Sequence, residues 1–560
     1  MKRNVQKLAR QEYDLLIIGG GVYGAACAWD ASLRGLKVAL LERADFGGAT
    51  SSNSAKIAHS GVRYLQHADF QRMRESIHER SILMQIAPHL VISQPYLLPI
   101  YGHGIKGSEV MKLYFAIYDL LSLDRKWAKD PARRVPDSRV ISTEEVLKIA
   151  PGLKREGLTG GAVWYEGQIL NTERLTLSYI LSASERGAEV ANYVEVVGFL
   201  QSGNVIVGVE AKDLVTGQTI EVRAKTTLNA SGPWSVKTLN LSQEPFKNYS
   251  LHASKAFSLI TPPLTKDHAL AISHKPMYQD QQALVNKQSN LAFAIPWRGH
   301  SLIGSLHLPC EDDPKHVSIS EEEIQTYIDL INEGYPTAKL RREDVRHILW
   351  GIVPADQEGS AAPLKHYRIL DHVREDGLEG LISVVGVKYT TARNVAKKMV
   401  DLAFRKLGQV PAKSRTQDTS LWGGHIEYVD LFMNQAIEQE SDRLSPLVVR
   451  HLVRTYGSAY PRILSYLDEN PTWGQLIPNS NAIQAEIIYA IREEMAEKLV
   501  DIVFRRIDLG TLGYPGDELL RVCAQLMASE LGWNETRMET ELNEVAETYT
   551  VRPTREIYNP

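Results

Sequence analysis

Between residues 15 and 42 the chain runs through an apolar strand, a glycine turn, a helix, a second strand and an acid, and few folds accept that order. Residues 15–18 (LLII) are an uninterrupted apolar run, as expected of a strand buried on both faces. Gly19, Gly21 and Gly24 follow as G-x-G-x-x-G. The pattern predicts a helix over 25–34 and a strand over 37–41, closed by Glu42 at the ~20-residue spacing of a dinucleotide fingerprint. Gly19 permits the tight turn, Gly21 lets the backbone approach a pyrophosphate, and Gly24 lets the helix pack closely on the strand. The helix N-terminus offers N–H groups and a partial positive charge to phosphates. Glu42 can accept hydrogen bonds from ribose hydroxyls, and its charge disfavours a 2′-phosphate. The glycines alone would be weak testimony; the five parts together specify a dinucleotide site.

The rest of the composition sets boundaries. At 560 residues the chain has room for more than one domain. Its hydrophobic fraction of 44% is that of a globular protein, and a net charge of -4 gives no footprint for nucleic acid. Cys27, Cys310 and Cys523 lie far apart without metal or C-x-x-C spacing, so no metal is expected and a reducing cytoplasm suits them. Residues 1–11 carry Lys2, Arg3, Lys7 and Arg10 but no long apolar stretch, so they are read as a disordered basic leader rather than a signal peptide. Weak attraction of that leader to an anionic membrane surface is the alternative. Residues 110–123 (VMKLYFAIYDLLSL) form the most apolar helix-like run, too short to span a bilayer and expected as a core or cap helix.

Further along, 205–210 should pair with 219–222 as a hairpin, and 226–234 (TTLNASGPW) reads as a buried strand ending in small residues and Gly232. Such a strand can return beside the first glycine turn, where small residues allow close contact. Residues 245–355 are β-rich, with 292–305 predicted as two strands joined at Arg298-Gly299 and a helix over 321–332. Residues 381–385 form another buried strand before Gly386, Lys388, Thr390 and Thr391, then a helix to about 407. From 416 onward, helices are expected over 426–440, 445–456, 481–505, 515–532 and 535–548. Glu493, Glu494, Asp501, Arg505 and Arg506 read as a solvated or ion-paired helix face.

These motifs resemble the FAD-dependent glycerol-3-phosphate dehydrogenases and oxidases along nearly the whole chain. The densest match is 44–65 (ADFGGATSSNSAKIAHSGVRYL), where Asp45-Phe46, Thr50-Ser51-Ser52, Ser54, Lys56, His59, Gly61, Arg63, Tyr64 and Leu65 agree with the family pattern. Residues 165–175, 229–234, Ser254-Lys255, Pro296-Trp297, 302–304, Lys388, Thr390-Thr391 and Arg393 extend it, as do Tyr456-Gly457 and 486–506 in the tail. The resemblance implies FAD as cofactor and hydride transfer from a secondary alcohol to the flavin. Gly19, Gly21, Gly24, Glu42 and Arg43 would take the adenosine end, and Thr50, Ser51, Ser52, Ser54 and Lys56 the pyrophosphate and flavin edge. Gly232, Gly386 and Thr390 complete the cofactor set. His59 is then a general base or a structural histidine, Lys388 a cation for charge developing on the flavin, and Arg63, Tyr64, Lys365 and Arg393 the substrate-binding set, with Arg63 also counted as catalytic.

The departures fall on the substrate side. Val353 stands where the family has an arginine before proline, and Lys365 replaces a second arginine, losing its planar fork. His307 falls where an aspartate is common, and His59-Ser60-Gly61 replaces His-Gly-Gly. Three functions stay open: oxidation of sn-glycerol 3-phosphate to dihydroxyacetone phosphate, oxidation of another polyol, hydroxy acid or amine on the same fold, and an inactive FAD-binding scaffold. The expected partners are a small anionic alcohol and an acceptor, quinone or dioxygen. Peripheral membrane contact at the inner face is left open for an otherwise cytoplasmic protein, and oligomeric state is unreadable. The expected fold is α/β plus α+β. It combines a Rossmann-like FAD-binding domain of the two-dinucleotide-domain, glutathione-reductase-like type with a β-rich substrate domain and a C-terminal helical domain. The divisions are 1–12 (leader), 13–415 and 416–560. FAD parts fall at about 13–100, 160–245 and 350–415, and substrate or cap parts at about 100–160 and 245–350.

Overall fold

The computed structural model describes residues 1–62, 64, 68–103, 107–123, 128–242, 246, 251–279, 288–310, 313–314 and 317–550. Two sheets organise them. The first runs, from edge to edge, Arg368–Asp371, Leu381–Val385, Thr219–Asn229, Glu12–Ile18, Val38–Leu41 and Glu189–Ala191. All neighbours in it are parallel except the first pair. Its apolar run is explained by two-sided burial: Leu15 and Ile17 face one core, Leu16 and Ile18 another. The first core is built with the helices Val22–Leu33, Thr172–Glu185 and Ala392–Lys406, which pack side by side. The second lies under the antiparallel strands Val194–Ser202 and Val205–Asp213, which hang from the first half of Thr219–Asn229. The expected hairpin is present, with Val209 opposite Val222.

The strand Thr219–Asn229 does return beside the glycine turn. Ile18 is in register with Asn229, and the Ala230 N–H donates to the Ile18 carbonyl at 2.9 Å. A Cβ on Gly19 would stand 2.6 Å from the Ala230 oxygen, and Gly19 has φ +105°, so only glycine fits there.

The second sheet has the order His347–Pro354, Ala253–Thr261, His300–Cys310, Gln288–Trp297, Ala269–Gln279, Val91–Tyr101, Leu158–Ile169 and Ile57–Ala58, with Arg139–Ile141 beside Leu158–Ile169. Arg298 and Gly299, both with positive φ, make the expected turn between two of its strands. The helix Glu321–Gly334 starts on a Ser320/Glu323 capping box and buries Ile324, Tyr327, Ile328 and Ile331 against this sheet.

The tail is helical, with Val429–Gln439, Pro446–Tyr456, Gln484–Glu494, Asp517–Leu531 and Glu535–Glu547 as its longer helices. Three expectations need correction. The helix expected over 481–505 stops at Glu494, because Met495 turns left-handed (φ 56°), and Asp501–Arg506 is a separate π-helical turn. Of the two readings of its charges, the ion-paired one holds for Glu494, Asp501 and Arg506, which are fully buried rather than on an exposed face. The leader is ordered, since Val5–Leu8 is helical with both end residues buried and Arg3 pairs with Asp213 at 2.5 Å. Finally, the helix Ser108–Leu121 buries only Phe115 and Tyr118, and turns Val110, Leu113, Ile117 and Leu120 to the outside. Among the described residues, no helix is long and apolar enough to cross a membrane.

Candidate active site

The glycine turn opens onto one cavity of about 1980 Å³, about twice the upper range of small-ligand pockets, enough for a dinucleotide and a substrate together. Its floor is the N-terminus of Val22–Leu33, which carries no side-chain cap. A Cβ on Gly24 would lie 1.9 Å from the Gly19 carbonyl, so that glycine holds the helix against the turn. A Cβ on Gly21 would crowd Ser51 Oγ at 3.2 Å, on the side where the Val22 N–H donates to that hydroxyl at 3.0 Å. Free helix-terminal N–H groups, a hydroxyl able to trade partners and bare backbone fit a pyrophosphate.

Glu42 closes the second strand as expected, and its two oxygens accept from the Gly20 N–H (2.7 Å) and the Ala44 N–H (2.8 Å). Burial pushes its carboxyl up, while those two bonds pull it down. Each oxygen keeps acceptor capacity for a ribose hydroxyl. Arg43 lines the same end with its guanidinium 4.7 Å over the Trp234 ring. Thr50 also lines the cavity and donates to the Ile352 carbonyl at 2.9 Å, tying the loop to the strand His347–Pro354 of the other sheet. Ser52, Ser54, Gly232 and Gly386 line it too.

Besides Gly24, which packs the helix on the turn, two expected cofactor residues do not line the cavity. Lys56 is fully buried, donating to Glu173 at 2.7 and 2.9 Å and to the Ser52 carbonyl at 3.1 Å; an ammonium so tied has no proton left for a flavin. Thr390 is buried and accepts from the His59 N–H at 3.1 Å, so it braces His59 instead.

At the other end stands Lys388, half-buried. Burial, then the like charge of Arg72, lowers its amine from an ordinary 10.5 to about 6. Its Nζ lies 4.2 Å from the Tyr64 ring centre and the Arg72 guanidinium also lies 4.2 Å from it, while the His59 ring meets Tyr64 edge-on at 5.8 Å. The structure thus gathers Lys388, Tyr64 and His59, of which Lys388 lines the cavity while Tyr64 and His59 stand behind it. Arg63 lies outside the described residues. Lys365 does not line the cavity, and Arg393 is committed elsewhere: it forms a buried bidentate pair with Glu79 (2.9 and 2.5 Å) and donates to Thr416 at 2.8 Å. A substrate anion would have to displace a carboxylate already desolvated with it, so Arg393 is removed from the substrate set. Val353 lines the wall along with His307, whose Nε2 lies 3.2 Å from Ser305 Oγ.

Sequence reasoning missed Tyr23. Its hydroxyl donates to the Lys388 carbonyl (2.8 Å) and accepts the N–H groups of Val387 and Lys388 (both 3.1 Å), with burial pushing the phenol up to about 12. A Cβ on Gly386 would strike its ring at 2.2 Å. The only signal was an aromatic inside the glycine motif. Arg72 was missed as well, for want of any motif around it.

A parallel sheet of this order, with its glycine turn opening onto a cavity of this length, is the architecture of the FAD-dependent oxidoreductases. The FAD dependent oxidoreductase family model matches residues 14–402, and that for the C-terminal domain of alpha-glycerophosphate oxidase matches residues 414–538. The glycerol-3-phosphate dehydrogenase of Synechocystis sp. is 31% identical, over 97% of this chain and 98% of that protein. The mitochondrial glycerol-3-phosphate dehydrogenase of Mus musculus is 32% identical over 95% of this chain and 72% of its own. The crystal structure of the Bacillus halodurans glycerol-3-phosphate dehydrogenase complexed with FAD superposes with a TM-score of 0.76 at 26% identity, covering 99% of this chain and 98% of that one. The chain belongs to the FAD-dependent glycerol-3-phosphate dehydrogenase family, and its cofactor is FAD.

Proposed function

We propose that this chain oxidises sn-glycerol 3-phosphate to dihydroxyacetone phosphate. The observation that carries the reading is the full-length likeness to glycerol-3-phosphate dehydrogenases. FAD, when bound, supplies the hydride acceptor. The chain's own part is position and charge. The uncapped helix N-terminus and Glu42 hold the dinucleotide. Lys388, with its amine lowered to about 6, exchanges a proton at neutral pH and turns into an ammonium beside any anion that enters. His59, braced through Thr390 and set against Tyr64, is the group proposed to take the hydroxyl proton.

A second reading, a different polyol, hydroxy acid or amine, is favoured by one observation: the wall strand His347–Pro354 presents Val353 to the cavity. Anaerobic bleaching of the bound flavin decides. Rapid bleaching by glycerol 3-phosphate, against slow or no bleaching by glycerol and 2-hydroxy acids, supports the first reading. The reverse order supports the second, and bleaching by no candidate returns the chain to a scaffold role.

The acceptor is proposed to be a quinone met at a membrane surface, with the outward stripe of Val110, Leu113, Ile117 and Leu120 as the contact. Loss of vesicle co-sedimentation in Leu113→Glu/Leu120→Glu would support this contact. Stoichiometric peroxide formation during turnover would point to dioxygen instead.

A further inference from the structure

At the joint between the tail and the cofactor loop, Asp45, Glu494, Asp501 and Arg506 are fully buried and Arg505 is partly so. Asp45, three residues beyond Glu42, receives a bidentate pair from Arg506 (2.7 and 2.8 Å) and a third bond from Arg505 (2.6 Å). Burial pushes the Asp45 carboxyl up, but the two guanidiniums outweigh it and hold the group well below the usual carboxylate range. Arg505 also reaches Asp501 at 2.5 Å, and Asp501 accepts the Tyr193 hydroxyl at 2.7 Å and the N–H groups of Glu497 and Lys498 at 2.9 Å. Asn192 bridges Asp45 (3.0 Å) and the Met495 carbonyl (2.8 Å).

This network borders the cofactor cavity. Its tail side begins where the helix Gln484–Glu494 breaks and includes the π-helical turn Asp501–Arg506, an irregularity frequent at functional sites. Its other side is the loop that carries the cofactor-facing residues Arg43, Thr50 and Ser51. Strand pairing puts Tyr193 and Val194 against that loop, their N–H groups donating to the Ala44 and Glu42 carbonyls. Tail residues line the same cavity: Lys498, 6.0 Å from the Tyr193 ring, with Arg505, Trp533 and Arg537. The segment 494–511 also grips the helix Thr172–Glu185 and the second sheet. Arg174 pairs with Glu494 and donates to the Arg506 carbonyl, Arg298 pairs with Asp508, and the His347 ring stacks on Phe504.

We propose that the C-terminal helical domain is a clamp on the adenosine half of FAD, with Asp45 as the positioning residue that couples the two. The docked tail sets the shape of the loop between Glu42 and Ser54, and FAD leaves only when that joint opens. Asp45 itself lines the cavity, but its carboxylate is committed to Arg505, Arg506 and Asn192, so in this scheme it acts through the loop rather than on substrate or flavin. Removing one partner of a buried pair leaves the other charged and unpaired, so the joint opens as a unit.

The proposal rests on FAD binding and is tested on the full chain, first without any substitution. Amide hydrogen exchange is compared between cofactor-stripped and FAD-loaded protein. Amides in 495–507 should exchange at least tenfold more slowly with FAD bound, while the helix Val429–Gln439, in the same domain but remote from the joint, stays unchanged. Asp45→Asn should raise the dissociation constant for FAD at least tenfold. Excess FAD should then restore kcat, with KM for the substrate within twofold of wild type. Arg492→Ala, which breaks bonds to Glu469 and Glu530 inside the tail, should leave FAD affinity within twofold. A yellow protein whose 495–507 amides exchange equally fast in both forms overturns the clamp, as does Asp45→Asn binding FAD as tightly as wild type. A protein that takes up no FAD sinks the cofactor assignment and the clamp with it. If Asp45→Asn fails to fold, the exchange comparison alone decides.

Discussion

Lys388 carries a test that separates stability from activity. Burial and the Arg72 charge across the Tyr64 ring bring its amine from 10.5 to about 6. In the unfolded chain the same amine holds its proton to ~10.4. Between those two values, folding of the cofactor-free protein must expel a proton. The cost is complete below about pH 6, shrinks as pH rises, and is gone above ~10.4. At ~1.4 kcal/mol per pH unit the ceiling is ~6 kcal/mol; solvent contact of a half-buried amine reduces it to about 2–3 kcal/mol. Lys388→Met keeps an unbranched side chain and removes the proton. The cofactor-free variant should therefore be about 2 kcal/mol more stable than wild type at pH 7, where roughly three-quarters of the cost remains, and indistinguishable from it near pH 10.5, read from urea unfolding at both values. With FAD supplied, the same variant should lose ~10²–10³-fold in kcat. A variant no more stable than wild type at pH 7, or a gain undiminished at high pH, would refute the argument.

Other substitutions probe the two ends of the cavity. Gly24→Ala would drive a methyl to 1.9 Å from the Gly19 carbonyl; the protein should purify colourless, and an undiminished flavin spectrum would show that the turn tolerates the shift. Tyr23→Phe removes the phenol that binds the 387–388 backbone at three points, a loss of about 2–3 kcal/mol in unfolding free energy; a change under ~0.5 kcal/mol would mean water replaces the hydroxyl. Val353→Arg returns a guanidinium to the cavity wall. It should lower KM for glycerol 3-phosphate at least ~10-fold, the value of one charge-assisted bond, and an unchanged KM would mean this strand does not face the phosphate.

The cofactor half was readable in advance because its constraints are local. Two-sided burial forces a continuous apolar run, a helix that approaches a turn within a Cβ radius forces glycine, and these leave marks within thirty residues. The substrate half was not. Arg393 has the right charge and the right neighbours in sequence, but nothing near it announces that Glu79, 314 positions earlier, already holds its guanidinium. Lys56 fails the same way: its partner Glu173 is 117 positions off. The helix Ser108–Leu121 misled for another reason. Apolar content was counted without direction, and it is the aromatic pair Phe115 and Tyr118 that turns inward while the aliphatic residues face out. Tyr23 was hidden inside a motif that is read only for its glycines.

Asp45 and Arg505 are separated by 460 positions. At 5–20 residues per second, a ribosome needs on the order of a minute to travel between them. Throughout that interval the emerging polypeptide carries an acidic side chain whose counterions have not been made, on the very loop that must receive the flavin. Full grip on the cofactor is thus reached only after the tail has been made, and a polypeptide truncated before Arg505 should need at least about tenfold more FAD to fill its site.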